Sequence, residues 1–379
     1  MSASVRLRRG KAEFVRWDHG NGDVEDICLC WHNVDFSGAC IAQVNSDLLG
    51  EVIEHGGRYA EGNLENYKKD GLTDDRCGYC YDKKSNWGPV TSYDVDKRTV
   101  KDFDEVDPTW IRIGKSTECG HDYYHGVMID FLKLCKERGV GIIFPTKALR
   151  LSEDVVEVLN GMNHVINYSI GHDEMEKGIS KQGYDNKWRI EQARLYHNEG
   201  VNATLTITCD VTDSIEANVE RGFAVGDALS VGEKYNITAR VLPLRLTSKE
   251  VAKIATGMDW KDLFINKRRK ETLPGFADAF GAKYVQRGNS DLVPRILHPD
   301  FQKLVKNGLG VCGNIGENEH CDECHVYPEE TKRVIFPVEE LVKVTRDSKR
   351  KRRKPVKIEE SEEEPKVELP MFPGLKEVL

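Results

Sequence analysis

The chain has 379 residues with 39% hydrophobic and 31% charged side chains, a composition typical of a soluble globular protein. No window approaches about 18 consecutive apolar residues, which argues against a transmembrane helix, and the basic N-terminus lacks the apolar core of a secretory signal. We therefore expect a cytoplasmic protein, in which the 11 cysteines serve metal binding or burial and not disulfides. The formal net charge of -8 argues against nonspecific DNA binding by the whole surface.

The N-terminal part of the chain leads to a pair of closely spaced cysteines. Residues 1–25 are polar and basic and are expected to form an extension, and residues 26–31 predict a short buried strand. A polar segment follows, in which residues 45–72 are expected to be an insertion and not a core element. It reaches Cys77 and Cys80, which are separated by two residues, so a tight turn can direct both sulfurs toward one metal or cluster.

Strand and helix patterns alternate regularly from residue 110 onward. Repeated strand–helix–strand units imply right-handed crossovers and a parallel sheet. With residues 26–31 as the first strand the count is six, which favours an α/β fold with a partial (β/α)6 TIM-like barrel; a doubly wound open sheet is the alternative. The other predicted strands are 110–114, 141–145, 165–170, 203–208 and 237–242, and the predicted helices are 125–138, one capped by Ser152, 188–199 and 215–221.

The C-terminal third has a different composition. Residues 248–338 are expected to form a helical and cysteine-rich region, and residues 339–379 a disordered charged tail. The basic clusters 267–270 and 349–354 suggest contact with nucleic acid, because lysine and arginine release counterions from phosphate. Three cysteines in one polar loop predict a second iron–sulfur cluster or a structural zinc, with Cys312, Cys321 and Cys324 as its ligands.

Five short stretches of the chain form a recognisable set: Cys77-Gly78-Tyr79-Cys80-Tyr81, Gly114-Lys115-Ser116-Thr117-Glu118, Pro145-Thr146-Lys147, Asn167-Tyr168-Ser169-Ile170 and Arg189-Ile190-Glu191. Together they resemble the radical S-adenosylmethionine enzymes, with most similarity to the spore-photoproduct-lyase-like branch. The resemblance covers roughly residues 26–245, and the barrel domain is expected to span residues 26–247. It implies that three cysteine thiolates hold a [4Fe–4S] cluster, that S-adenosylmethionine binds the open iron, and that reductive cleavage gives a radical that abstracts a substrate hydrogen. It also implies a reductant of the flavodoxin or ferredoxin type.

The resemblance also assigns roles to individual residues. The family usually has a further cysteine four residues before the first of this pair, where the chain has Thr73. We therefore expect Cys40 to be the third cluster ligand, with Cys30 and Cys28 as alternatives. Cys119 and Tyr123 are candidates for hydrogen donation in the radical reaction. By the same resemblance, Gly114, Lys115, Ser116, Thr117 and Glu118 meet the methionine amino group, and Thr146, Lys147, Ser169 and Arg189 line the cofactor's carboxylate and ribose.

These features predict a radical S-adenosylmethionine enzyme that modifies, isomerises or repairs a pyrimidine nucleotide or DNA base. Two alternatives stay open. One is a zinc-stabilised nucleic-acid-binding protein without catalytic activity, and the other is a radical enzyme acting on a peptide or small metabolite.

Overall fold

A computed structural model describes two long stretches of the chain, 92–210 and 213–244, and shorter ones on either side. The shorter ones are 3–9, 13–18, 24–29, 32–43, 77, 264–266, 271–272, 286–287, 291–292, 298–306, 309–311 and 334–335. The chain divides into the units 1–335 and 336–379, and the second unit lies outside the described residues. So do the predicted insertion, both basic clusters, the charged tail, and the predicted ligands Cys30, Cys80, Cys312, Cys321 and Cys324.

The secondary structure alternates between strands and helices in the well-described centre of the chain. The strands are Arg8–Arg9 (β1), Glu13–Asp18 (β2), Val24–Leu29 (β3), His32–Val34 (β4), Trp110–Ile113 (β5), Gly141–Thr146 (β6), His164–Ile170 (β7), Ala203–Cys209 (β8), Ala239–Pro243 (β9), Phe264–Asn266 (β10), Glu271–Thr272 (β11), Gln286–Arg287 (β12), Asp291–Leu292 (β13), Gly310–Val311 (β14) and Val334–Ile335 (β15). The α-helices are Lys97–Val106 (α1), His125–Glu137 (α2), Glu153–Leu159 (α3), Lys177–Lys181 (α4), Asn186–Asn198 (α5), Ile215–Glu220 (α6), Val225–Tyr235 (α7) and Pro299–Lys306 (α8). Short 3-10 helices cover Ile41–Gln43, Asp122–Tyr124 and Asp173–Glu176.

The main sheet confirms the predicted α/β architecture with an open, partial barrel. Its strand order is β1-β4-β5-β6-β7-β8-β9-β14. The six strands from β4 to β9 pair in parallel and in sequence order, β14 continues in parallel, and β1 is antiparallel at the other edge. Because helices connect successive parallel strands, all six strands direct their carboxyl ends to the same edge of the sheet.

The first strand of the barrel is not the one predicted. Residues 26–31 were expected to fill this position, but β3 lies in a separate three-stranded sheet, antiparallel to β2 and β15. The pairing of Asp18 with Val24 makes β2 and β3 a hairpin, and a partner so near in sequence costs little entropy to reach. The barrel instead begins with β4, a strand of only three residues, which is too short for hydrophobic periodicity to reveal.

Helices cover one face of the main sheet and bury it. Every second strand residue packs against helical side chains, and fully burying an aliphatic side chain of this kind contributes about 1.5–3 kcal/mol. The helix ends follow the predictions: the Ser152 hydroxyl accepts from the Val155 N–H at the start of α3, and Gly139 and Gly200 follow α2 and α5 with positive φ. The buried cluster includes Ile111, Ile113, Ile142, Phe144, Ile166, Tyr168, Leu205, Ile207 and Val241 from strands and Met128, Phe131, Leu132, Ile190 and Ala193 from helices.

The opposite, inner face of the main sheet is largely polar. It is formed by the alternate strand residues, which point away from the helices. Although polar, most of these side chains are buried. Its members include Asn33, Arg112, Ile143, Val165, Asn167, Thr204, Thr206, Thr208 and Arg240.

In the part of the chain that the structure describes, no helix has the length and apolar character needed to span a membrane.

Candidate active site at the carboxyl edge of the sheet

Cys40 and Cys77 come together just beyond the end of β4, although 36 residues separate them in sequence. Burial raises the pKa of the Cys40 thiol to about 12, the nearby Cys77 thiol adds to the rise, and backbone N–H groups of Ala42 and Glu118 oppose it. Two thiols that disfavour each other's ionisation are stabilised as thiolates when a cation binds between them. The structure therefore brings together two of the three predicted cluster ligands. The other, Cys80, lies outside the described residues, and among those described no group of three or more His, Cys, Asp or Glu could hold a metal ion.

Asp35 joins the Cys40 segment to the loop after β5. One oxygen of its buried carboxylate accepts from the backbone N–H of Ser116 at 2.9 Å and of Thr117 at 3.1 Å, and also from the Thr117 hydroxyl at 3.1 Å. The two segments therefore form one rigid unit beneath the cysteine pair. Asp35 was not predicted from the sequence because the first strand was assigned to residues 26–31. With β4 as the first strand, an acidic residue directly after it would have indicated a site residue.

The predicted cofactor residues Glu118, Thr146 and Lys147 meet at the next strand end. One oxygen of the nearly buried Glu118 carboxylate accepts from the Thr146 hydroxyl at 2.6 Å and the Gly120 N–H at 3.0 Å, and the other accepts from the Lys147 N–H at 2.8 Å. A Cβ atom on Gly120 would lie 2.2 Å from the Thr146 hydroxyl oxygen, so only glycine allows this approach. A carboxylate held by three donors at the barrel rim can receive an amino group.

Ser169 and Arg189 belong to a buried network that continues from Lys147. The Lys147 ammonium lies 3.7 Å from Glu176, and the Arg189 guanidinium forms a close ion pair with the same carboxylate. Arg189 also donates to the carbonyl of Ser169 at 3.2 Å. Both charged side chains of the ion pair are fully buried. Burial raises the pKa of Glu176, and the Arg189 charge opposes that rise. The sequence analysis missed Glu176, which has no distinguishing spacing.

Hydrogen bonds from several sides hold the Arg189 guanidinium in place. Its Nε donates to the Tyr184 carbonyl at 2.8 Å. Its Nη2 is buried and has no hydrogen-bond partner among the described residues. One donor of this guanidinium is thus available for a cofactor oxygen.

Cys119 and Tyr123, the predicted hydrogen donors, lie beside the same loop. Cys119 is fully buried, which raises the pKa of its thiol well above the usual value. Its sulfur contacts the Phe36 N–H at 3.4 Å and the Thr117 hydroxyl at 3.2 Å. The partly buried Tyr123 ring packs edge-to-face on Tyr124 with 5.0 Å between ring centroids. Cys119 thus packs in the buried core, and Cys135 and Cys209 are buried as well.

His121 introduces a pH dependence close to the site. The ring is 2% exposed, its Nδ1 accepts from the Tyr123 N–H at 3.0 Å, and burial lowers its pKa from 6.5 to about 4. Between these pH values the unfolded chain binds a proton that the folded protein does not. We expect the free energy of unfolding to fall by about 3 kcal/mol as the pH drops through this window.

This loss can be measured by urea denaturation at several pH values. His121→Gln should remove the contribution of His121 to the pH dependence between 6.5 and 4 and leave that of His164 and His172, whose pKa values are also lowered by burial. His197→Gln, at the partly exposed end of α5, should leave the whole pH dependence in place. Equal slopes in the two variants would contradict the assignment.

No protein-family model matches the chain, and neither does any curated protein. Solved structures with detectable similarity include SuiB of Streptococcus suis bound to its precursor peptide SuiA, with 14% identity and a TM-score of 0.34 over 59% of this chain and 49% of that one. Spore photoproduct lyase complexed with dinucleoside spore photoproduct has 16% identity and a TM-score of 0.35 over 61% of this chain and 68% of that one. This chain thus spans about half the length of SuiB. Similarities at this level do not establish a family, so the function has to be inferred from the residues of this chain.

Proposed function

We propose that this protein is a radical S-adenosylmethionine enzyme whose [4Fe–4S] cluster is held by Cys40, Cys77 and Cys80. The observation that carries the proposal is the convergence of Cys40 and Cys77, distant in sequence, beside Glu118 at the carboxyl edge of a parallel sheet. This edge is where α/β barrels place their reactive groups. When bound, the cluster and S-adenosylmethionine would supply a radical that abstracts hydrogen from the substrate.

The residues around the cysteine pair suit this role. The backbone N–H groups of Ala42 and Glu118 interact favourably with an ionised Cys40, as donors to metal-bound sulfur do in iron–sulfur proteins. Apolar side chains pack beside Cys40 and exclude water from that side of the pair. They are Ala42, Ala148, Ile179, Tyr184 and Trp188.

The residues that would hold S-adenosylmethionine belong to the hydrogen-bond network around Glu118 and to the ion-pair network of Lys147, Glu176 and Arg189. The two networks adjoin at Lys147. Glu118 offers a fixed carboxylate to the amino group, Lys147 offers a cation to the carboxylate, and the free Nη2 of Arg189 offers a donor. In this proposal Gly114, Lys115, Ser116 and Thr117 shape the loop that Asp35 holds in place. Ser169 takes part through its carbonyl, which orients Arg189.

The substrate we propose is a pyrimidine nucleotide or DNA base, which is modified, isomerised or repaired. The support is the presence of the basic clusters 267–270 and 349–354. Cys119 or Tyr123 would return hydrogen to the product radical, Cys312, Cys321 and Cys324 would hold a second cluster or zinc, and a flavodoxin- or ferredoxin-type protein would supply electrons.

Metal analysis of the wild-type protein tests the proposal. Protein purified without oxygen should be brown, with about four irons for each cluster and a broad charge-transfer band. After reduction it should release 5′-deoxyadenosine from S-adenosylmethionine, and adding DNA should increase that release. A colourless protein with stoichiometric zinc would refute the enzyme proposal and favour a zinc-stabilised binder. Stimulation by peptides and not by DNA would refute the nucleotide substrate alone.

A further inference from the structure

Tyr124 carries a buried hydroxyl group without a hydrogen-bond partner. Its side chain is fully buried, and the hydroxyl makes no hydrogen bond to the described residues. The backbone and a neighbouring ring hold the residue in place: the Tyr124 N–H donates to the His121 carbonyl at 2.8 Å, and the Tyr123 ring packs against it edge-to-face. Buried hydroxyl groups are normally paired, because burial removes their hydrogen bonds to water. An unpaired one therefore indicates a partner that the described chain does not provide by itself.

Two other buried tyrosines show the usual arrangement. The side chains of Tyr168 and Tyr196 are as deeply buried as that of Tyr124. The Tyr168 hydroxyl donates to the Leu149 carbonyl at 2.7 Å, and the Tyr196 hydroxyl donates to the Arg150 carbonyl at 2.9 Å. Burial of a tyrosine in this core is thus accompanied by a backbone acceptor, and Tyr124 is an exception.

The Ser37 hydroxyl lies near the Tyr124 hydroxyl but is already engaged with the backbone. It donates to the Ala39 carbonyl and accepts from the Ala39 N–H at 3.2 Å. Ser37 opposes the rise in the pKa of Tyr124 that burial causes, since it could donate to an ionised tyrosine. The neutral hydroxyl gains no bond from it. The turn formed by Ser37 and Ala39 leads directly into Cys40, so this turn places the cysteine beside Tyr124.

Two thiols lie near the Tyr124 hydroxyl, and they differ in their own contacts. An ionised Cys40 or Cys119 would raise the pKa of Tyr124 further, which places both sulfurs in its neighbourhood. The Cys119 sulfur already contacts the Phe36 N–H at 3.4 Å and the Thr117 hydroxyl at 3.2 Å. Cys40 is the one of the two that the proposed function makes a thiolate. A neutral thiol is a weak acceptor, whereas a thiolate accepts strong, charge-assisted hydrogen bonds.

We propose that the Tyr124 hydroxyl donates a hydrogen bond to the Cys40 sulfur when that sulfur is a cluster-bound thiolate, and that this bond raises the reduction potential of the cluster. This inference rests on the proposed function, because it needs a cluster at Cys40. Hydrogen bonds to the sulfurs help to set the potential of an iron–sulfur cluster. A donor favours the reduced state, because that state carries more negative charge. Since Tyr124 is fully buried, it acts through Cys40 and not by contact with substrate.

Urea denaturation of the full-length, metal-free protein tests whether the hydroxyl lacks a partner. Tyr124→Phe should leave the unfolding midpoint unchanged or raise it, because the change removes an unpaired polar group. Tyr168→Phe is the matched control and should lower the midpoint, because it removes the hydrogen bond to the Leu149 carbonyl. An equal decrease in Tyr124→Phe would show that the hydroxyl already has a partner in the metal-free protein and would overturn the proposal.

Redox titration of the cluster in full-length protein purified without oxygen tests the effect on the potential. Tyr124→Phe should make the potential more negative, with an equilibrium constant for reduction about three- to tenfold smaller, where tenfold corresponds to about 59 mV for a one-electron couple. Tyr168→Phe should have the wild-type potential. Difluorotyrosine incorporated in place of Tyr124 has a more acidic hydroxyl and is a stronger donor, so it should make the potential less negative. A purely structural role of the ring would not produce these opposite shifts.

Iron content separates failure of this inference from failure of the proposed function. Equal potentials in wild type and Tyr124→Phe, both with full iron, would overturn the hydrogen bond and leave the enzyme proposal intact. A folded Tyr124→Phe protein that loses its iron, while Tyr168→Phe keeps it, would still support a contact between this hydroxyl and the cluster ligand. Wild-type protein that assembles no iron–sulfur cluster would refute the enzyme proposal itself, and this inference with it.

Discussion

Replacing Cys40 with alanine is expected to remove nearly all iron from the protein. A cluster of this kind is held by three thiolates, so the loss of one sulfur leaves an incomplete set of ligands. Cys77→Ala and Cys80→Ala should give the same result. The measurement is iron quantitation on protein purified without oxygen, together with the charge-transfer absorbance.

Two controls separate ligand loss from general damage. Cys28 lies on β3, in the separate three-stranded sheet, and Cys28→Ala should retain its iron. Cys135 is a buried core thiol, so Cys135→Ala should lower stability somewhat without lowering iron per folded molecule. Full iron content in Cys40→Ala would show that this cysteine is not a ligand. Loss of iron in Cys28→Ala would indicate that Cys28, the alternative named from the sequence, is the third ligand.

The sheet could be predicted because its signals are local. The run of β6 is short and apolar, β8 alternates apolar residues with threonine, and the helices between the strands are amphipathic with glycine at their ends. The same logic failed for β4, whose three residues contain a single apolar side chain. The more apolar run just before it formed a hairpin elsewhere.

The candidate site could be predicted only in part, for a similar reason. Glu118, in the loop after β5, and Thr146, the last residue of β6, are brought together by the parallel topology itself, so their contact could be predicted from the strand ends. Asp35 and Glu176 act through contacts with distant segments, to Thr117 and Arg189 respectively. Such pairings depend on the folded structure and leave no spacing in the sequence.

Replacing Arg189 with methionine is expected to destabilise the protein by about 3–5 kcal/mol, the usual cost of removing one member of a buried ion pair. Both Arg189 and Glu176 have fully buried side chains. The variant would leave the Glu176 carboxylate in the core, and among the described residues its remaining ion-pair partner would be the Lys147 ammonium, 3.7 Å away. It would also leave the Tyr184 and Ser169 carbonyls without the donors they have in the native protein.

The pH dependence distinguishes this mechanism from simple loss of packing. Burial already raises the pKa of Glu176, and Arg189 opposes that rise, so removing the arginine should raise the pKa further. The folded variant then retains a proton that the unfolded chain releases. Its free energy of unfolding should therefore decrease, relative to wild type, as the pH rises from about 4.5 toward neutrality. Chemical denaturation at pH 5 and pH 7.5 measures this difference.

The double variant Arg189→Met with Glu176→Gln supplies the matched control. Glutamine keeps the shape of Glu176, and the double variant buries no unpaired carboxylate, so it should recover part of the lost stability and lose the added pH dependence. A single variant as stable as wild type would mean that the ion pair contributes nothing, and a double variant no better than the single one would assign the loss to packing around Arg189. Arg189 donates to the Ser169 carbonyl and shares Glu176 with Lys147. If the double variant recovers stability but not the binding of S-adenosylmethionine, the guanidinium also serves the cofactor site directly.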